Sequence, residues 1–463
     1  MSNSNFNQRF ILGITLVSAM GGLLFGYDWV VIGGAKPFYE RFFDITQSPY
    51  LQGWAMSSAL IGCLVGALMS GYLTDRLGRK MPLITAAGLF TIAAIGTGAV
   101  NQFTPFIIFR LIGGLGIGLA SAISPMYIAE ISPAVMRGRL VSVNQLTIVL
   151  GILAAQITNY LIAEAVPAGA TDEFILNSWN GQLGWRWMFW AGTVPALLFF
   201  ILSFFIPESP RFLAKSGKSE MAFSILKRIG GEAYAIQEQK EIGETLQGAD
   251  SKIDWKALRS KKVRPVLILG IVLAVFQQWC GINVIFNYAE EIFTSAGYSV
   301  NDMLFNIVIT GAVNLIFTFV AMKVVDSWGR RKLMLLGSCG LAVIYLALGT
   351  SYFFALKGLA ILVLVMVAIA TYAMTLAPIT WVVLSEIFPN SIRGAAMAIA
   401  TTALWVACFV LTYTFPILNK LLNASGTFWL YAFICLSGFL FVLKKLPETK
   451  GKSLEEIETK LTH

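Results

Sequence analysis

Apolar residues run nearly unbroken over twelve stretches, near residues 10–33, 52–73, 82–100, 105–125, 140–162, 187–206, 265–289, 302–325, 333–353, 359–384, 395–418 and 427–444. A helix needs about 20 such residues to cross the hydrocarbon core of a bilayer. The pattern therefore predicts an all-α membrane protein with twelve transmembrane helices. Lys and Arg gather at the N-terminus, the C-terminus and the loops after even-numbered spans, which predicts that both termini are cytoplasmic. The first stretch does not read as a cleavable signal: it is long, weakly flanked by positive charge, and carries Asp28.

The two halves of the chain repeat. Asp75-Arg76-Leu77-Gly78-Arg79-Lys80 follows span 2, and Asp326-Ser327-Trp328-Gly329-Arg330-Arg331-Lys332 follows span 8, 251 residues later. Glu130-Ile131-Ser132-Pro133 leads to Arg137-Gly138 after span 4, and Glu386-Ile387-Phe388-Pro389 leads to Arg393-Gly394 after span 10, 256 residues later. Pro207-Glu208-Ser209 after span 6 is echoed by Pro447-Glu448-Thr449 after span 12. Three motifs in the same order, each at a cytoplasmic exit, predict a six-plus-six duplication. The expected divisions are a six-helix bundle at 1–206, a polar, basic cytoplasmic linker at 207–264 with helix-forming runs, a second bundle at 265–446 and a tail at 447–463. The loop 163–186 is long, and its role is unreadable.

Composition sharpens this picture. Of the 463 residues 57% are hydrophobic and 13% charged, and the mean hydropathy of +0.72 is too high for a soluble domain, so membrane lipid is a partner. The net charge of +9 is a topology signal and not a nucleic-acid footprint. Five cysteines lie in apolar stretches with no CxxC pair, and the only histidine is His463, which leaves no metal centre or imidazole relay to propose. Gly217-Lys218-Ser219 and Gly451-Lys452-Ser453 resemble the end of a phosphate loop. The required upstream glycine is Phe212 in one and Leu446 in the other, so no nucleotide is expected. Gly113, Gly114, Gly116 and Gly118 have the wrong spacing for a dinucleotide turn and read as close helix packing. No nucleophile–base pair is present, so the chain is not expected to be an enzyme.

The candidate chemistry lies in charges and amides inside the spans. Asp28 and Arg110 sit at similar depth on spans 1 and 4, with span 1 expected to end near Gly33. A buried charge in a membrane is costly unless paired, which makes them natural partners. With no histidine available, Asp28 is the expected proton carrier and Arg110 the group that holds it ionised. Static pairing of two helices is the plainer alternative. Asp75, Arg79, Glu130, Arg137, Asp326, Arg330, Glu386 and Arg393, at cytoplasmic helix ends, are expected to form gating salt bridges that hold the halves together. Gln277, Gln278, Asn283 and Asn287 on span 7 suit sugar hydroxyls, and Gly281 between the two pairs can break the helix and let them converge. Gln145 and Asn314 are weaker candidates. Trp381 and Trp405 offer flat apolar faces for a sugar ring.

Together these motifs resemble the sugar porter family of the major facilitator superfamily, from Gly21-Gly22-Leu23-Leu24-Phe25-Gly26-Tyr27-Asp28 to Pro447-Glu448-Thr449-Lys450-Gly451. The runs Pro207-Glu208-Ser209-Pro210-Arg211-Phe212-Leu213 and Gln277-Gln278-Trp279-Cys280-Gly281-Ile282-Asn283 are the most specific. The resemblance is strongest to the family's bacterial xylose–proton symporters and also extends to its facilitative glucose carriers. It implies the major facilitator fold in a bacterial inner membrane and a rocker-switch carrier importing a monosaccharide with a proton, without other cofactor. Carried over by position, Gln145, Gln277, Gln278, Asn283, Asn314 and Trp381 line the sugar site, with Phe25, Tyr288 and Trp405 beside it. Asp28 matches the proton-coupling aspartate of the symporters, where the facilitative carriers have an uncharged residue. Leu404 and Cys408 depart from the xylose symporter, which has Gln and Asn there, and Ala377 replaces a glycine in the span 10 break. These departures put xylose itself in doubt. The rivals are a uniporter of the same fold and a transporter-like sugar receptor, which is expected to need a longer cytoplasmic segment than 447–463.

Overall fold

The computed structural model describes residues 6–167, 170–247, 260, 263–388 and 392–450. Those residues form α1 (Gln8–Phe42), α2 (Pro49–Leu77), α3 (Lys80–Ala99), α4 (Phe103–Ile131), α5 (Arg137–Ile162), α6 (Asp172–Asn177), α7 (Trp185–Ala191) and α8 (Thr193–Ser203). There follow α9 (Pro210–Lys215), α10 (Ser219–Gln247), α11 (Val263–Trp279), α12 (Ile282–Asn287), α13 (Ala289–Ser295), α14 (Val300–Trp328), α15 (Arg330–Phe353), α16 (Leu359–Met374), α17 (Leu376–Ile387) and α18 (Arg393–Lys445). Among the described residues, eleven helical segments are long and apolar enough to cross a membrane. The last of them, α18, is broken at Asn423 (φ 57°, ψ 174°), so it supplies two spans and the total is the expected twelve.

Most boundaries fall close to the apolar stretches; span 1 runs longer than expected, and spans 7 and 10 are broken, as Gly281 and the family resemblance lead one to expect. The helix of span 1 does not stop near Gly33 but continues to Phe42. Span 7 divides into α11 and α12 at Gly281, whose φ of +87° is left-handed backbone that glycine adopts without a Cβ penalty. Span 10 divides into α16 and α17 at Thr375 (φ −121°, ψ −85°). Broken helices free backbone and side-chain polar groups within the membrane, which is tolerated only where protein or a cavity takes them up.

The chain gathers into two compact units. The first comprises Met1–Trp29, Ile61–Ala155 and Phe189–Lys252. Its helices approach closely through glycine. A Cβ on Gly26 would lie 1.9 Å from the Ile148 carbonyl oxygen, and one on Gly118 would lie 2.2 Å from that of Cys63. Lipid tails are as apolar as leucine, so close van der Waals contact of this kind holds such helices together. Gly113, Gly116 and Gly118 all face neighbouring helices, in keeping with a packing role. The segment read as a linker is helical in α9 and α10, with a bend at Gly231. Leu213, Ala222, Ile225 and Ile229 from it form an apolar cluster with Ile11, Ala19, Ile128 and Leu140. Residues 248–259, 261–262 and 451–463, including Gly451-Lys452-Ser453, lie outside the described residues.

The second unit comprises Val30–Leu60, Gln156–Met188 and Ile253–His463. In it α18 packs on α11 and α15, and α14 packs on α16. Its core includes Tyr288, Phe293, Tyr345, Phe415 and Tyr431, each at most 2% exposed.

Candidate functional site

In the first unit, Arg110 from α4 meets Asp28 from α1. Its Nη1 donates to both carboxylate oxygens, at 2.9 Å each. The arginine side chain is 3% exposed and the aspartate 17%. One turn along α4, Gly113 leaves the carboxylate room: a Cβ there would lie 3.7 Å from Asp28 Oδ2. Phe189 covers the guanidinium at 5.9 Å. The pair is thus a desolvated ion pair with its carboxylate half-open, the arrangement depth-counting along spans 1 and 4 anticipates. Phe25, half-buried, stands one turn before Asp28 and sets its ring edge-on to Trp29 at 5.8 Å. Gln145, also in this unit, is exposed.

In the second unit the break at Gly281 gathers three span 7 amides. Gln277 and Gln278 end α11, and Asn283 begins α12 after the turn. Gln278 Nε2 donates to Gln277 Oε1 at 2.5 Å, and Asn283 Nδ2 donates to Gln278 Oε1. Asn283 Nδ2 also approaches Cys408 Sγ at 3.6 Å, so α18 touches the same cluster. Asn287 is buried, and its Oδ1 finds no protein partner. Leu404 is 4% exposed, Trp405 6%, Asn314 7% and Trp381 40%. Tyr288 is wholly buried: its hydroxyl donates to the Thr412 carbonyl at 2.7 Å and its ring packs on Phe415.

The helix-end motifs are built twice to one plan. Arg79 Nη2 pairs with Glu130 Oε1 at 2.6 Å, and Arg330 Nη2 pairs with Glu386 Oε1 at 3.2 Å. Glu130 accepts the Ser209 hydroxyl and Glu386 the Thr449 hydroxyl. Glu208 accepts the backbone N–H groups of Arg79 and Lys80, which start α3, and Glu448 accepts that of Arg330, which starts α15. Each carboxylate thereby satisfies orphan donors at a helix N-terminus and meets its dipole favourably. Burial alone would raise Glu448, but the N–H groups of Lys450, Arg330, Arg331 and Thr449 outweigh it and hold the carboxyl below its ordinary value. Gly78 and Gly329 make the turns with φ of +83° and +90°. Both pairs join residues of one unit, Arg79 with Glu130 in the first and Arg330 with Glu386 in the second. Asp75 pairs with Lys215 at 3.1 Å, and Arg137 is half-buried with Nε unpartnered. The side chains of Asp326 and Arg393 lie outside the described residues.

Two features escape the reading of the sequence. Tyr372, near the end of α16, accepts a hydrogen bond from Gln277 Nε2 at 2.6 Å. At the Phe42 end of α1, Lys36 is buried against three carboxylates: Glu291 at 2.7 Å, Glu290 at 3.1 Å and Glu40 at 3.3 Å. Burial raises Glu291 above its ordinary value, against the lowering effect of Lys36. Lys36 and Glu40 are spaced i,i+4, a signal available only once the helix is known to extend past Gly33.

An all-helical, multi-pass fold with broken spans, a buried ion pair and twin helix-end motifs defines a membrane transporter of the major facilitator type, not an enzyme. The sequence profile of the family described as "Sugar (and other) transporter" matches residues 14–461, and the chain belongs to that family. It is 39% identical to the D-xylose-proton symporter of Escherichia coli K12, over 98% of this chain and 96% of that one. It is 41% identical to the arabinose-proton symporter of Bacillus subtilis, over 98% and 95%. Among solved structures, the partially occluded inward-open form of the E. coli xylose transporter aligns with a TM-score of 0.84 at 38% identity, covering 96% of this chain and all of that one. The same symporter bound to 6-bromo-6-deoxy-D-glucose aligns with a TM-score of 0.77, covering 98% and 100%.

Proposed function

We propose that this protein imports a monosaccharide together with a proton across the bacterial inner membrane, with both termini cytoplasmic, by alternating access. The observation that carries the reading is the Asp28–Arg110 pair, a desolvated carboxylate held by a cation in a chain with no histidine inside a span. Arg110 offsets the cost of burying the Asp28 carboxylate by pairing with it. A proton arriving on the half-open carboxylate cancels that attraction, and the freed arginine leaves α1 and α4 able to shift. The xylose and arabinose symporters among its relatives support a pentose or hexose as cargo. Gln277, Gln278, Asn283, Asn314, Trp381 and Trp405 hold the sugar, with Gln145, Phe25 and Tyr288 as further candidates. Uncharged amides suit this task because each offers both a donor and an acceptor to a hydroxyl without the desolvation cost of a charge. Asp75, Arg79, Glu130, Arg137, Asp326, Arg330, Glu386 and Arg393 act as gates at helix ends. The two six-helix halves, 1–206 and 265–446, are joined by the linker 207–264 and followed by the tail 447–463.

The test uses the purified full-length protein in proteoliposomes. Added sugar should alkalinise the outside medium, and an imposed proton gradient should drive sugar above equilibrium. Asp28→Asn should abolish that accumulation while sugar exchange continues. Undiminished uphill uptake by Asp28→Asn would remove the proton role, and sugar entry without alkalinisation would leave a uniporter.

A further inference from the structure

At the Phe42 end of α1 one cation faces three acids. Lys36 Nζ lies 2.7 Å from Glu291 Oε1, 3.1 Å from Glu290 Oε2 and 3.3 Å from Glu40 Oε2. Lys36 is 2% exposed and Glu40 5%. With all four groups ionised, the cluster would carry two negative charges in excess. Carboxylates crowded into one buried site bind a proton in preference to ionising together. The surrounding side chains give little relief. Gln52 Nε2 of α2 donates to Glu40 Oε2 at 3.3 Å, and Asn419 Nδ2 of α18 donates to Glu291 Oε2 at 3.5 Å. Tyr288 sets its ring 5.8 Å from the ammonium but donates its hydroxyl to the Thr412 carbonyl, and Tyr39 on α1 is also near. Glu40 Oε1 is buried and has no hydrogen-bond partner, so it is the oxygen least able to hold a charge. Lys36 and Glu40 belong to the first six spans, and Glu290, Glu291 and Asn419 to the last six, so the cluster ties the two sets together.

We propose that this cluster is a second proton site, seated on Glu40 and separate from Asp28, which holds its proton only while the Phe42 end of α1 stays against α13. The proposal rests on the alternating-access reading of the function. In that reading this end of α1 faces outward, and entry of sugar requires α1 and α13 to part. Parting takes Glu290 and Glu291 away from Lys36 and admits water. Lys36 and Glu40, spaced i,i+4, are then left as a balanced pair, and the Glu40 carboxyl gives its proton to the outer water. Closure takes one proton back from the same side. That proton is not carried across, so the coupling at Asp28 is untouched. Acid outside therefore holds the outer end closed, and alkali frees it. One proton bound in the closed form and none in the open form changes their ratio by up to about tenfold per pH unit.

The experiment reads the distance between the two outer ends in the full-length protein in lipid nanodiscs. Spin labels are placed on the exposed positions Gln47→Cys and Ser295→Cys, with Cys339→Ser to remove the exposed native thiol. Asp28→Asn is present throughout, so that protonation of Asp28 contributes nothing. As pH rises from about 5 to about 8, the ratio of long to short distances should rise by about tenfold or more. Adding Glu40→Gln should hold the short distance at every pH, because an amide has no proton to release. Infrared spectra of the Asp28→Asn protein at about pH 6 should show the carbonyl band of a protonated carboxyl, and Glu40→Gln should remove it. Two distances whose ratio ignores pH, or a pH dependence that survives Glu40→Gln, overturns the proton site and leaves alternating access standing. Absence of any protonated-carboxyl band from the Asp28→Asn protein overturns it without recourse to the Glu40 variant. A single distance at every pH, unmoved by D-xylose, L-arabinose or D-glucose, overturns the alternating-access reading and this inference together. Equal melting temperatures with and without Glu40→Gln show that the comparison is between folded proteins.

Discussion

Lys36 provides a quantitative prediction. Its ammonium, on a side chain 3% exposed, faces Glu40, Glu290 and Glu291 at 3.3, 3.1 and 2.7 Å. At an effective dielectric constant of about 20, each contact is worth about 5–6 kcal/mol before any opposing effect. Desolvation of the ammonium and mutual repulsion of three carboxylates cancel most of that. Lys36→Met keeps the stem length and removes only the charge, leaving the carboxylates buried without a cation. Uncompensated buried charge of this kind costs about 3–5 kcal/mol. The melting temperature of the purified protein in detergent should fall by about 5 °C or more at pH 8. The deficit should also depend on pH. A carboxyl raised in the folded state, as Glu291 is by burial, binds its proton more tightly folded than unfolded. Acid then favours the fold as pH falls from the folded value toward the ordinary value of 4.5. Lys36 opposes that rise, so removing it raises Glu291 further, and the variant should recover stability between pH 8 and about pH 5. Adding Glu290→Gln and Glu291→Gln to Lys36→Met should restore most of the loss at pH 8. A triple variant as unstable as Lys36→Met, with no recovery in acid, would show that packing and not charge is at stake.

Three further outcomes can be checked directly. Gln278→Ala should weaken sugar binding by roughly 1–3 kcal/mol, the cost of leaving a desolvated hydroxyl unpaired, and calorimetry with wild-type affinity would make the amide cluster a packing element. Arg110→Met should destabilise by about 3–5 kcal/mol, whereas Arg110→Met with Asp28→Asn should be markedly less harmful; equal melting temperatures for the two would show that the buried pair is not coupled. Leu404→Gln with Cys408→Asn should shift competition uptake toward D-xylose, because Asn283 Nδ2 then meets a carbonyl in place of the Cys408 sulfur at 3.6 Å. Wild type that already prefers D-xylose over every competitor sinks that argument.

Much of the protein was legible in one dimension because lipid imposes local rules. A backbone in hydrocarbon must satisfy its own hydrogen bonds, so an apolar run of about 20 residues becomes a helix whatever its neighbours do. Glycine at 281 between two amide pairs marked the break in span 7, and the duplicated Gly-Arg turns marked the two helix starts, because left-handed backbone and capped helix ends are short-range requirements. Asp28 and Arg110 could be matched by depth, since each is the one charge within its apolar stretch, 10–33 and 105–125. Tertiary structure alone decided which side chains turn toward one another. Spans that are apolar all round carry little periodic signal to say which face meets protein and which meets lipid, so helix rotation is not written in the pattern. Lys36 thus finds Glu290 and Glu291 at separations of 254 and 255 residues, and Gln277 finds Tyr372 at 95, only once the helices have packed.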